Sequence, residues 1–408
     1  HWCIITKKHQ IKIEYIKLFL LQRNCRHYSR NMGVLSGYKI IELSGIGPGP
    51  LCGMLFADLG AEVIRVDRKN TVMPNQQPKF DITGRSKKSI CLNLKDPESK
   101  EVLFKLIKNA DALIEGYRPG VTEKLGIGPE ECLKQNEKLV YGRITGWGQN
   151  GPLAQAAGHD INYIALAGAL YSIWGENKPS IPLNLIGDYG GGTMFLAFGV
   201  CAALLSANRT GKGQVVDAAM IDGVSVLTSI FHSLSQSGVW NVNNRGNNLF
   251  DGGAPFYQVY ETKDNMHVSI GSLEPQFYQL LIDKLNLGDE FKNQMQLDQW
   301  DNMKSKLAEI FKTKTRDEWD EIFEGSDVCY SPVLSIEEAA NHKHMKARDN
   351  FVNINDVRQP SPAPRFSVTP SEKPSPAPEV GQDNKSIMLD IGFSEEQIKE
   401  LENKGVLL

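Results

Sequence analysis

Residues 38–68 read YKIIELSGIGPGPLCGMLFADLGAEVIRVDR. The run 38–44 is apolar and of strand length, the glycine–proline stretch 45–50 breaks it, 50–60 is helical in composition, and 61–68 is a second apolar, β-branched run. Strand, helix and strand in that order form a β-α-β unit and predict an α/β domain. Gly45, Gly47 and Gly49 stand where a dinucleotide fingerprint would, with Asp67 in the place of the ribose-binding acid. That fingerprint needs its third glycine at position 50, where Pro50 stands, so the spacing argues against it. Arg65 and Arg68 flank Asp67, and guanidinium groups held there would grip a phosphate with paired hydrogen bonds. A plain surface-charge reading of the two arginines carries equal weight.

Outward from this unit the alternation continues. GRSKKSICLNLK (84–95) places Arg85, Lys87 and Lys88 ahead of a short strand, a basic cluster that on its own reads as a solvated face. A helix (96–110), a strand (111–117) and another strand (138–149) lead into a glycine-rich region. It opens ITGWGQNGPLAQAAGHDINY (144–163) and closes NLIGDYGGG (184–192). His159 stands beside Asp160 in the first part, and Asp188 precedes a glycine run in the second. An imidazole and a carboxylate on two separate turns can serve as a pair of proton carriers. Helix capping by His159, Asp160 and Asp188 explains the same residues equally well. The two readings are compatible, because a helix N-terminus also stabilises an anion. The stretch 193–210 reads as a long buried helix, 215–236 continues the helical run, and GKGQVVDAAMID (211–222) within it reads as turn, strand and helix. From 247 a second segment alternates as a hairpin turning at Lys263-Asp264-Asn265, then becomes helical at Pro275. Glu274, just before that proline, reads as an acid favouring the helix dipole. Residues 357–380 are proline-rich and extended, a crossing linker, and a final helix closes the chain.

The chain has 408 residues, 41% of them hydrophobic, and a net charge of −3, which is the composition of an enzyme with room for two domains. No basic excess points to nucleic acid, and no apolar run reaches the roughly 18 residues of a membrane span, so no integral membrane segment is expected. Cys3, Cys25, Cys52, Cys91, Cys132, Cys201 and Cys329 lack CxxC spacing and read as reduced thiols, with neither a zinc site nor a disulfide framework. Residues 1–31 are basic, with Glu14 as the one acid, and 1–32 is read as an N-terminal extension. Its composition suits a mitochondrial presequence with RHYS (26–29) as processing site; a start of translation at Met32 is an equal reading. The C-terminal GVLL is not the SKL-type peroxisomal address, which leaves mitochondrion as the expectation and peroxisome as the alternative.

GWGQNGP (146–152), GHDINY (158–163), IGDYGGG (186–192) and PAPRFS (362–367) resemble the family III CoA-transferase superfamily, and its racemase branch in particular. The resemblance runs from Gly33 to Leu408. It implies an α/β fold with a Rossmann-like large domain at 33–225, completed by 345–408, and a smaller α+β domain at 246–335. It also implies an interlocked homodimer, with the active site between the large domain of one subunit and the small domain of the other. The implied substrate is a 2-methylacyl-CoA thioester of branched-chain fatty acid or bile-acid precursor metabolism, epimerised at C2 through an enolate. In that scheme His159 and Asp188 move protons on opposite faces of C2, the Asp160 backbone N–H meets the enolate oxygen, and Glu274 hydrogen-bonds His159. Arg68 would hold the nucleotide phosphate of CoA, and Leu92, Lys95, Tyr117 and Arg118 would line the CoA site. Lys124 stands where relatives carry arginine, which keeps the charge and loses the bidentate fork. No metal or redox cofactor is implied; CoA is part of the substrate. The nearest rival is a CoA-transferase with Asp188 as nucleophile, a route that needs no histidine at 159. An NAD-dependent oxidoreductase and a non-catalytic acyl-CoA binder are more distant, and His159 together with Glu274 favours the racemase.

Overall fold

The sheet begins with β1 (Lys39–Leu43), which pairs in parallel with β2 (Glu62–Asp67) on one side and β4 (Ala112–Glu115) on the other. In this computed structural model, which describes residues 33–69, 77–175 and 177–408, β3 (Lys88–Cys91) extends the sheet beside β2 and β5 (Val140–Thr145) beside β4, again in parallel. With β6 (Gln214–Ala219) the order is β3-β2-β1-β4-β5-β6. Every residue of β4 and β5 is buried, the signature of strands covered on both faces, and it explains why these segments read as apolar runs without alternation. The order reverses between β1 and β4, and in an open parallel sheet a ligand crevice forms there, outside the carboxyl ends of the strands. The extension 1–32, with its two sequence readings, lies outside the described residues.

Two compact units emerge. The first comprises 33–145, Thr193–Ala218 and Val352–Leu408, and the second Gly146–Gly192 and Ala219–Phe351. In the first, Ile387, Met388, Phe393, Ile398, Leu401, Val406 and Leu407 join the strand residues in one apolar core, so the C-terminus completes the large domain. The second has a core of its own, built by Phe256, Tyr260, Phe311, Trp319 and their neighbours around the antiparallel strands β7 (Tyr257–Glu261), β8 (His267–Gly271) and β9 (Tyr330–Pro332). Residues 146–192, 219–225 and 345–351, expected from sequence in the large domain, group instead with the second unit. For the first two stretches the reason is that Ile164, Ala169 and Ile186 pack on Val224 of the helix Met220–Leu227.

The basic cluster before β3 is not a solvated face. Arg85 is 1% exposed and ion-pairs with Asp58 at 2.5 Å, while Lys87 ion-pairs with Glu42 at 2.6 Å, both pairs buried. Their partners lie 27 and 45 residues away in sequence, beyond the reach of local pattern reading. The expectation that no apolar run reaches membrane-spanning length is also corrected. Leu185–Thr210 is a continuous helical run of 26 residues, long and apolar enough by length and composition. Its buried residues Leu196 and Val200 lie against Gly142 of β5, where a Cβ would approach them to 2.9 and 3.0 Å. The part from Thr193 on thus packs one face on the sheet of the large domain, and the protein shows no clear membrane-spanning helix.

Candidate active site

The loop after β5 is wound around one aromatic ring. Tyr163 is buried, its hydroxyl donates to the Gly158 carbonyl, and Trp147 meets it edge-on with centroids 4.8 Å apart. A Cβ on Gly146 would fall 2.0 Å from that ring and one on Gly158 2.7 Å, so both positions must be glycine. This packing delivers His159 to the N-cap of the helix Asp160–Leu166, with its backbone N–H donating to Asn162 Oδ1 at 3.0 Å. The imidazole is exposed.

The second turn, Leu185–Thr193, is a π-helix. Such wide turns are rare and concentrate at functional sites. Asp188 therefore sits inside a continuous helical run and does not cap a helix starting near Gly191, as one sequence reading had it. Nor does Asp160 cap its own helix: its Oδ2 accepts from the N–H groups of Gly187 at 2.6 Å and Asp188 at 2.7 Å. Gly191 makes the close approach that seats the turn, since a Cβ there would meet the Met220 carbonyl and Val224 at 2.8 Å.

The Asp188 carboxyl is half-buried, and that burial raises it above the ordinary carboxylate range. The neighbouring charge of Asp160 adds to the rise, while a hydrogen bond from Asn184 Nδ2 at 3.2 Å and the nearby His159 oppose it. His159, Asp160 and Asp188 are thus brought within electrostatic reach of one another in the second unit. A carboxyl that burial makes a weaker acid, beside an imidazole, is a chemically suitable pair for giving and taking a proton. Asn184 was missed in the sequence, although its position four residues before Asp188 places both on one helix face.

Glu274 is not brought to His159. It is the exposed N-cap of the helix Pro275–Leu285 and, among the described residues, makes no hydrogen bond to the imidazole. The expected contact is therefore absent within one chain.

The CoA-binding residues named from the sequence lie at the carboxyl ends of the strands of the large domain. Arg68 directly follows β2, and its guanidinium lies over the Tyr117 ring, 5.6 Å from the centroid, just past the end of β4. Lys95, Arg118 and Lys124 are exposed in the segments after β3 and β4. Leu92 differs: its side chain is 0% exposed inside the apolar core and its backbone bridges to Leu407, so it cannot line a ligand with its side chain. Arg65 is committed to Asp67 at 2.8 Å and Asp81 at 2.9 Å, so its guanidinium is not available to a phosphate. Asp67 is buried and accepts from Arg65 and Ser89, so it is not available to a ribose, and the dinucleotide reading falls with it. Among the described residues no group of three or more His, Cys, Asp or Glu side chains is arranged to hold a metal.

Comparison with known proteins identifies the family. A family model described as CoA-transferase family III matches residues 35–384. The chain is 44% identical over 382 residues to a Homo sapiens protein named alpha-methylacyl-CoA racemase, covering 91% of this chain and 97% of that one. It is 27% identical over 400 residues to the Homo sapiens succinyl-CoA:glutarate CoA-transferase, covering 92% and 90%. In fold it matches the crystal structure of a CAIB/BAIF family protein from Brucella suis with a TM-score of 0.76 at 24% identity, covering 88% of this chain and 100% of that one.

Proposed function

This chain belongs to CoA-transferase family III, and on that premise we propose that it is an isomerase that epimerises the 2-methyl centre of 2-methylacyl-CoA thioesters. The observation that carries the reading is the half-buried Asp188 carboxyl, raised by burial and set within electrostatic reach of His159. Inversion needs a base on one face of C2 and an acid on the other. His159 takes the C2 proton of the S epimer, the electron pair passes into the thioester as an enolate, and protonated Asp188 returns a proton to the opposite face. In the reverse direction Asp188 is the base and His159 the acid. The backbone N–H of Asp160 is the donor toward the enolate oxygen, where developing charge is best stabilised by a fixed dipole. A CoA-transferase would use Asp188 as a nucleophile and has no task for an imidazole beside it.

Binding falls to the large domain, with Arg68 on the nucleotide phosphate and Lys95, Tyr117, Arg118 and Lys124 beside it. Arg68→Ala is expected to raise KM for the thioester by about tenfold or more and leave kcat nearly unchanged, the mark of an interaction equal in ground and transition states. Steady-state kinetics checks this; a fall in kcat with KM unchanged would place Arg68 elsewhere.

The working form in this reading is a homodimer in which Glu274 of a second copy hydrogen-bonds His159 and fixes its tautomer. Met194, Phe198 and Leu205 support it: they lie on one face of the helix Met194–Thr210 and are 56%, 74% and 71% exposed. Large apolar side chains repeated on one exposed helix face mark a surface that a partner covers. The function is tested by incubating pure (S)-2-methylacyl-CoA with the protein, without any acceptor acid, and separating the epimers chromatographically. A mixture approaching equal amounts is expected; unchanged S substrate, with CoA moving only when a carboxylic acid is added, would make the protein a transferase.

A further inference from the structure

Asp160 is 4% exposed, and its carboxylate is used unevenly. One oxygen, Oδ2, accepts both the Gly187 and the Asp188 N–H, while Oδ1 is buried and, among the described residues, has no hydrogen-bond partner. Buried polar atoms are nearly always satisfied, and a carboxylate left half-satisfied costs stability. The two N–H groups it takes belong to the early part of the π-helical turn, where backbone donors lack a partner inside the helix. The contact is close enough to dictate sequence. A Cβ on Gly187 would lie 2.7 Å from Oδ2 and 3.2 Å from the Asp160 Cα, so only glycine lets the carboxylate reach the turn.

We propose that the Asp160 side chain is a positioning residue: its carboxylate clamps the π-helical turn 185–193 and so holds Asp188 where it exchanges a proton with the R epimer. This rests on the two-base reading given above and deepens it, because it assigns the carboxylate a task separate from that of the Asp160 backbone N–H. The negative charge of the clamp also favours the protonated form of Asp188, which the S-to-R direction needs. The clamp serves one face of C2 only. His159 stands at the start of the helix that carries Asp160, outside the turn 185–193, and its proton chemistry does not pass through the turn.

The test compares Asp160→Ala with Asp160→Asn by following deuterium entry at C2 of each pure epimer in D₂O. In Asp160→Ala, exchange from the R epimer is expected to fall about a hundredfold, the loss a misplacement of about 1 Å brings. Exchange from the S epimer continues through His159, now mostly with retention. Asparagine keeps a carbonyl oxygen that can accept both N–H groups, so Asp160→Asn is expected to bring the R-to-S exchange ratio back to within about threefold of wild type. The ratio is internal to each sample and is insensitive to partial unfolding. Equal losses for the two epimers, or no loss for either, would overturn the proposal. Hydrogen–deuterium exchange of the backbone over 185–193, read by mass spectrometry, tests the clamp apart from the reaction. It should speed up in Asp160→Ala and not in Asp160→Asn, and unchanged protection in Asp160→Ala would overturn the clamp. If the wild type exchanges neither epimer, the racemase reading fails while this second measurement still decides the clamp.

Discussion

Replacing Asp188 by asparagine is expected to lower epimerisation by a factor of about 10³ or more, because a side chain that neither gives nor takes a proton removes a general acid–base partner altogether. Asparagine matches aspartate in size and can still accept from Asn184 Nδ2, so the π-helical turn and its clamp are expected to survive the change. The loss should be asymmetric. With (R)-substrate, no base remains on the face that Asp188 serves, and C2 exchange stops. With (S)-substrate, His159 still removes the proton and returns deuterium from solvent to the same face, so exchange proceeds without inversion. Chiral separation and NMR of each product report the two quantities separately. Inversion within about tenfold of wild type would show that Asp188 is not the second proton carrier.

The largest stability effect is expected in the large domain, from Arg85→Ala. The guanidinium donates through Nε and Nη2 to the two oxygens of Asp58 at 2.9 and 2.5 Å. Its remaining arm reaches the Pro360 carbonyl at 2.7 Å and Gln359 at 3.3 Å, which fastens the C-terminal segment to the core of the same unit. Removing it leaves the Asp58 carboxylate buried without its ion-pair partner, with only the more distant Lys87 charge to offset it, at a cost of about 3–5 kcal/mol. The urea midpoint should fall accordingly, with the slope of the transition unchanged. A companion Asp58→Leu, Arg85→Met double variant should recover much of the loss, since an apolar pair of similar volume avoids the stranded charge. A loss below about 1 kcal/mol in Arg85→Ala would mean that water reaches Asp58.

The strands β1, β2, β4 and β5 were legible because each holds an apolar run bounded by glycine, proline or charge, and residues 38–68 alone announced the first parallel pair. His159 and Asp188 stood out as polar residues amid glycines and apolar runs, but the residues alone left proton transfer and helix capping equally open, and their proposed roles came with the resemblance. What stayed hidden depends on contacts between distant parts of the chain. Asp160 binds backbone donors 27 and 28 residues further on, so its carboxylate looked like a local cap. Arg85 and Lys87 looked like surface charge because nothing nearby in sequence names their buried acids. Leu92 was assigned to the ligand through the family resemblance, but the C-terminal segment at Leu407 bridges to it and its side chain lies in the core. The π-helical turn was invisible to a reading based on 3.6-residue periodicity, because one widened turn leaves the apolar pattern of the following helix intact. Glu274 remains the residue that a single chain does not explain.

The central claim is that one proton carrier acts on each face of C2, and deuterium entry at C2 of both epimers in D₂O tests it most directly. The account predicts exchange with epimerisation from either starting epimer in the wild type. It further predicts that His159→Ala loses exchange from the S epimer and Asp188→Asn loses exchange from the R epimer. Loss of both epimers' exchange in Asp188→Asn, with His159→Ala fully active, would contradict it and leave Asp188 as the sole catalytic group.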